Sequence, residues 1–176
     1  MSLATTTLSG RAYQATLLKQ QNLYIAWGSG DPDWDVLADG DLPSLVEATS
    51  LVAEMGRRVP AAVSYVLPDE DGATSIPVGM DGQGNVQYQR YTISETPTTY
   101  LYLRCDFDHA DAASDTIREI ALFGGTVVDP ELPPGQRYFT PGQLVDPGSL
   151  IAMEIIRPRF DRSPSVRESY EFVLPL

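Results

Sequence analysis

Apolar and polar positions alternate most clearly from Thr98 to Asp108. Thr99, Leu101, Leu103, Cys105 and Phe107 fall on one side, and Tyr100, Tyr102, Arg104, Asp106 and Asp108 on the other. A period of two is that of a β-strand with one face turned to a core. Thr116–Val128 reads as the next strand, with Gly124 and Gly125 marking a bend or bulge. Leu23–Trp27 is a short apolar run stopped by a Gly-Ser-Gly turn. Residues 61–68, 85–94, 150–159 and 166–174 complete about seven strands, the last with Val166, Tyr170, Phe172 and Leu174 on one face. Leu101, Leu103, Phe107, Ile120 and Leu122 are expected in one core.

The first quarter of the chain follows a different period. Residues 10–21 predict a short helix, with Tyr13, Leu17 and Gln20 at helical spacing. Leu45, Val46, Ala48, Leu51, Val52 and Met55 predict a second helix from Pro43 to Met55, ended by Gly56. Residues 69–75 read as a turn, and Pro130–Pro147 contains five prolines, too many for a central strand. That connection, and the N-terminal residues 1–9, look unable to bury themselves and are expected to lie along another subunit. The fold class is therefore mainly β: an antiparallel β-sandwich or open barrel with a short helical N-terminal segment. The expected division is an N-terminal arm and helical segment, 1–58, and a β-sandwich domain, 59–176.

Composition narrows the function. The chain has 176 residues, 43% of them hydrophobic, enough for a core. A net charge of −12 removes any generic attraction to nucleic acid or anionic lipid. One cysteine, Cys105, excludes an intrachain disulfide. The sequence shows no secretory signal and no apolar stretch long enough for a membrane span, so a soluble chain made in the cytoplasm is expected.

Each candidate for chemistry is weak. Asp31, Asp33, Asp35, Asp39 and Asp41 begin like a calcium loop, but Val36 stands where the loop needs Gly and Leu42 where it needs Glu. Aspartates in such a turn cap helices and form Asx-turns without a metal. Cys105 and His109, the only histidine, offer a metal two ligands at most. They also form a nucleophile–base pair on paper, but the alternation points Cys105 into the core, where a thiol is inert packing. No nucleophile elbow and no phosphate-binding loop is present. The residues thus predict no cofactor, no metal and no enzymatic activity.

Three segments, in order, carry a resemblance: NLYIAWGSGDPDW (Asn22–Trp34), LVAEMGRRV (Leu51–Val59) and IREIALFGG (Ile117–Gly125) with the return FTPGQLVDPG. Together they resemble bacteriophage tail and baseplate structural proteins of the fibre-attachment or adaptor type. The resemblance implies a virion tail component assembled in the host cytoplasm. It implies a trimer or hexameric ring that connects the tail to receptor-binding fibres through contacts with other tail or baseplate proteins. It supplies no catalytic residues. Tyr88, Tyr91, Tyr100 and Tyr102, read as an outward patch on successive strands, are interface candidates, because tyrosine buries area while keeping a polar tip. Pro133, Pro134, Tyr138 and Phe139 of the proline-rich connection join them. The alternative is a carbohydrate-binding or host-recognition module of a tail fibre, with exposed Trp27 and Trp34 beside the acidic loop as its site.

Overall fold

The computed structural model describes residues 4–80, 86–113 and 115–176. Among the described residues, one α-helix, α1 (Leu8–Lys19), precedes twelve strands: β1 (Leu23–Gly28), β2 (Glu54–Arg58), β3 (Ala62–Pro68), β4 (Thr74–Met80), β5 (Val86–Ser94), β6 (Tyr100–Phe107), β7 (Thr116–Gly124), β8 (Val127–Val128), β9 (Tyr138–Phe139), β10 (Leu144–Asp146), β11 (Ser149–Asp161) and β12 (Glu168–Pro175). The strands form two five-stranded sheets, in the orders β11-β7-β1-β2-β9 and β12-β6-β3-β5-β4, and a β10-β8 ribbon. The registered pairings are antiparallel. The mainly β class with an N-terminal helix is as the sequence predicts.

The chain divides into two compact units. The first holds the described parts of Met1–Gln20, Ala61–Arg104 and Tyr170–Leu176. Its helix starts at Thr7, whose hydroxyl accepts the Gly10 amide at 3.1 Å and satisfies one of the donors a helix start leaves free. Helical spacing places Tyr13 and Leu17 together, but on the solvent side; it is Ala15 that is buried. The Lys19 ammonium lies 4.3 Å over the Tyr65 ring of β3. In the sheet, Tyr65 pairs with Leu101 and Val63 with Leu103, so these residues share a face. The opposite face carries a second cluster of Val66, Ile76, Tyr91 and Tyr102. Both faces of the sheet are therefore covered, which is why Tyr102 is buried although the alternation puts it outside.

The second unit is Gln21–Pro60 with Cys105–Ser169. β1 lies at its centre between β2 and β7, buried along its whole length. A strand covered on both faces reads as a continuous apolar run, and LYIAWG is one. Trp27 and Ile120 share one face, where Phe107 meets the indole edge-on at 4.7 Å. Ala26, Leu51, Ala121 and Phe123 cluster on the other. Gly125 makes the predicted bend with φ +75°, a conformation that favours glycine.

Leu101, Leu103, Phe107, Ile120 and Leu122 are each at most 2% exposed, but the one core expected for them is divided: Leu101 and Leu103 belong to the first unit, and Phe107, Ile120 and Leu122 to the second. Two further expectations fail. Residues 43–55 form no helix; they are irregular up to β2. The turn predicted at 69–75 is present, with the Gly72 amide donating to the Asp69 carbonyl at 3.0 Å, and strand β4 takes over from Thr74; Pro77 is tolerated in it at a sheet edge, where a missing N–H costs no ladder bond. The proline-rich connection does bury part of itself, through β9 on β2 and β10 on β8. Val166 precedes β12 and is exposed. Residue 85 of the strand expected at 85–94 lies outside the described residues, as do residues 1–3 of the expected arm.

Candidate interaction surface

The segment LVAEMGRRV turns Leu51, Gly56 and Arg57 into the interior of its own unit, while Val52 is exposed. Leu51 packs with Ala26, Ala121 and Phe123. The buried carboxylate of Glu119 accepts the amides of Val52 and Ala53 at 3.0 and 2.8 Å. Those two donors are therefore withdrawn from any helical ladder, which accounts for the missing helix. Gly28 makes room for this arrangement: a Cβ there would lie 2.3 Å from the Glu119 carboxylate and 2.5 Å from the Ala53 carbonyl. Glu54 and Arg57 form a two-pronged ion pair, both contacts 2.8 Å. Arg57, wholly buried, also donates to Thr126 Oγ1 at 2.8 Å and to the Pro147 carbonyl at 2.6 Å, with its guanidinium 4.1 Å from the Phe123 ring centre. One side chain thus ties both ends of the proline-rich connection to β2.

Arg58 reaches the other way. It pairs with buried Asp111, whose carboxylate also accepts the Asp108 amide at 2.8 Å. Buried Arg162 closes the same region, donating to the Asp108 and Asp111 carbonyls and pairing with Glu168. Two open concavities, of about 350 and 550 Å³, share Arg58 and Asp108 on their walls. Arg167, from outside, holds Asp108 at 3.1 Å and keeps its carboxyl below the ordinary range. These charges neutralise one another across the concavities.

The acidic loop is folded by local pairing. Asp31 caps a short 3-10 turn, Pro32–Asp35, by accepting the Asp33 amide. Asp35 is gripped by Arg118 at 2.9 and 3.0 Å and by Arg159 at 2.8 Å, and these hydrogen bonds hold its carboxyl down at about 2. The Asp39 side chain lies outside the described residues. Cys105 is buried, and burial pushes its thiol up to about 12. At that value the nucleophilic thiolate is scarce at neutral pH. His109 is exposed, with Nδ1 2.9 Å from the Pro164 carbonyl.

The expected interface residues divide by burial. The register puts Tyr91, Tyr100 and Tyr102 on one face of their sheet and Tyr88 on the other. Tyr91 and Tyr102 are buried, Tyr100 is half-buried, and Tyr88 is 62% exposed, so the four form no single outward patch. Burial, then the nearby Glu171 carboxylate, pushes the Tyr102 phenol up to about 12. In the connection, Pro133 and Pro134 are exposed. Tyr138 stacks on Trp27 at 5.6 Å, and Phe139 is buried edge-on to Tyr24 at 5.7 Å.

The aromatic pair of the carbohydrate-binding alternative is not exposed. Trp27 is 0% and Trp34 6% exposed. Gly30, at φ +57°, lies so close under the Trp34 ring that a Cβ would come within 2.6 Å of it. An exposed tryptophan and a tryptophan packed under a turn leave the same mark in a sequence, so burial alone decides between them.

Comparison with known proteins follows the same direction. The family model described as "Baseplate wedge 3 tail fiber network component" matches residues 3–176. The search of curated proteins found no match. The chain belongs to the baseplate wedge 3 tail fiber network component family, and is a structural protein of a phage tail baseplate.

Proposed function

We propose that this member of the tail fiber network family joins the baseplate to receptor-binding fibres by protein–protein contacts alone, without catalysis. The observation that carries the reading is the family match over residues 3–176. The geometry supports it. The charged residues gathered around β2, Glu54, Arg57, Arg58, Asp111 and Glu119, are held by one another and by backbone. What they do is fix loops. Cys105 is a buried, protonated thiol. The exposed positions Tyr88, Pro133 and Pro134 are the contact points, with Tyr91, Tyr100, Tyr102, Tyr138 and Phe139 behind them as rigid support. Several copies act together, as a trimer or a hexameric ring in the virion tail, assembled in the host cytoplasm before the tail is complete.

The test is removal of the chain from an otherwise intact phage. Tails lacking it should retain their tube and lose their fibres in electron micrographs. Tails that keep a full set of fibres without it would overturn the connecting role.

A further inference from the structure

Helix α1 has 12 residues and fully buries one of them, Ala15. A helix this short is marginal in water on its own and is normally held by packing of an apolar face. Yet Leu8, Tyr13 and Leu17 are all exposed, Tyr13 by 64%. Tyr13 and Leu17 stand one turn apart and form a ridge. The charge beside that ridge is all of one sign. Arg11 and Lys19 are the helix's charged residues, and no acidic residue precedes Asp31 in the chain. Arg11 donates to the Leu176 carbonyl at 3.3 Å, and Lys19 rests on the Tyr65 ring. Among the described residues, neither is paired with an aspartate or glutamate side chain. The loop between β1 and β2 is the reverse. Residues 29–53 hold six acidic residues and no basic one. Asp35 is taken by Arg118 and Arg159, but Asp33, Asp41 and Glu47 are exposed and, among the described residues, have no basic partner. Val36 and Val46 stand exposed among them, Val46 at 92%.

We propose that the α1 ridge of one copy docks on the acidic loop of a second copy, head to tail. This rests on the family reading above and on the several copies it calls for. The charge argues for that occupant and that orientation. The unit holding α1 has four basic and six acidic residues, and the other unit eight and eighteen. A contact between two acidic units sets like charges together. A contact between two α1 ridges sets Arg11 and Lys19 against their own copies. Like charges brought together suppress a contact, and opposite ones steer it. The ridge on the loop is the pairing that puts opposite charges face to face. Tyr13 and Leu17 then lose water against the valines, which supplies the attraction. A contact between unlike surfaces leaves one ridge and one loop free on each pair, so it closes into a ring or runs on as a filament.

Cross-linking in isolated phage tails tests this. Tyr13→Cys and Val46→Cys place thiols at exposed positions, while the native Cys105 is buried. A chain with both substitutions, treated with a short bis-maleimide, should give a ladder of covalent multimers of this chain. Chains with either substitution alone should give none, because a head-to-tail contact pairs unlike positions. Tyr13→Cys alone linking to its own copies would overturn the proposal. So would its linking to a different tail protein, or tails that contain the double variant and show no ladder. Charge reversal is the second measurement. Arg11→Glu suits the first turn of a helix, and Glu47→Lys lies in an exposed loop, so both should fold. Each alone should enter tails several-fold less well than the native chain, and the two together should recover most of that loss. Native-level entry of each single variant, or no recovery in the pair, overturns the proposal. This comparison decides alone if the double cysteine variant does not enter tails, and cross-linking decides alone if a charge variant does not fold. A native chain present in tails without these links defeats only this inference; a native chain missing from tails defeats the family reading and this inference together.

Discussion

The two units are held together by different means. In the unit built on β1, loops are fixed by buried charge: Arg57 to Glu54, Thr126 and Pro147, and Glu119 to the amides of residues 52 and 53. In the unit built on β3, two apolar sheet faces do the work, one with Leu101 and Leu103, the other with Val66, Ile76, Tyr91 and Tyr102. A charged anchor is costly to break because it strands its partner, whereas an apolar contact fails only in proportion to the volume removed. The unit built on β1 should therefore respond sharply to single substitutions at few positions, and the unit built on β3 more evenly at many.

The largest effect is expected at Arg57. Arg57→Ala should cost about 3–5 kcal/mol in chemical unfolding, since it leaves Glu54 without its partner in a largely buried place. A double variant, Arg57→Met with Glu54→Leu, should recover most of that loss, because replacing both members of a buried pair is often close to neutral. Failure to recover would mean that the ties to Thr126 and Pro147 matter more than the ion pair. Leu103→Ala, in the other unit, should cost about 2–5 kcal/mol by leaving a cavity. Its cost should not change with salt. Next is Glu119→Gln, expected to cost about 2 kcal/mol as charge-assisted bonds become neutral ones. The diagnostic readout is faster exchange of the Val52 and Ala53 amides with little change elsewhere.

What was legible in the sequence follows the same divide. The strand over 98–108 could be read because its signal is local and its period is two. The non-helix at 43–55 could not. Its apolar spacing is truly helical, and the residue that takes its amides, Glu119, lies 67 and 66 positions further on. The motif LVAEMGRRV was visible as a segment, but its role as an internal anchor was not, for Thr126 and Pro147, the loop partners of Arg57, are 69 and 90 positions away. Strands β9 and β10 are too short to alternate, and the prolines of the connection around them argued against strands there. Trp27 and Trp34 read as exposed only because a turn-rich neighbourhood suggests it; Gly30 and Tyr138 cover them.

Smaller effects separate the units by pH. Asp35, in the first pair of strands' loop, is held at about 2 against an ordinary 3.8. A lowered folded value means stability that is present above 3.8 and lost as pH falls toward 2. Because Arg118 and Arg159 cause it, added salt should shrink this acid response. Asp69, in the other unit, is lowered first by the Thr92 hydroxyl and then by the Asp71 amide, so its acid response should resist salt. On the alkaline side, Cys105 and Tyr102 are both raised to about 12, from 9.0 and 10.0. Raised values mean stability that is full below those ordinary values and is lost as pH climbs toward 12. Cys105→Ser should remove the part of the alkaline loss that begins near 9, and Tyr102→Phe the part that begins near 10. Least affected of all should be infectivity after combined Cys105→Ser and His109→Ala. A folded variant should assemble and infect near the native level; a folded but inactive one would reject the non-catalytic reading.

The most direct measurement is a cryo-electron microscopy reconstruction of the native tail with this chain located in it. The account predicts several symmetry-related copies at the junction of baseplate and fibre, each touching a fibre protein. Copies placed in the tail without any contact to a fibre would contradict it.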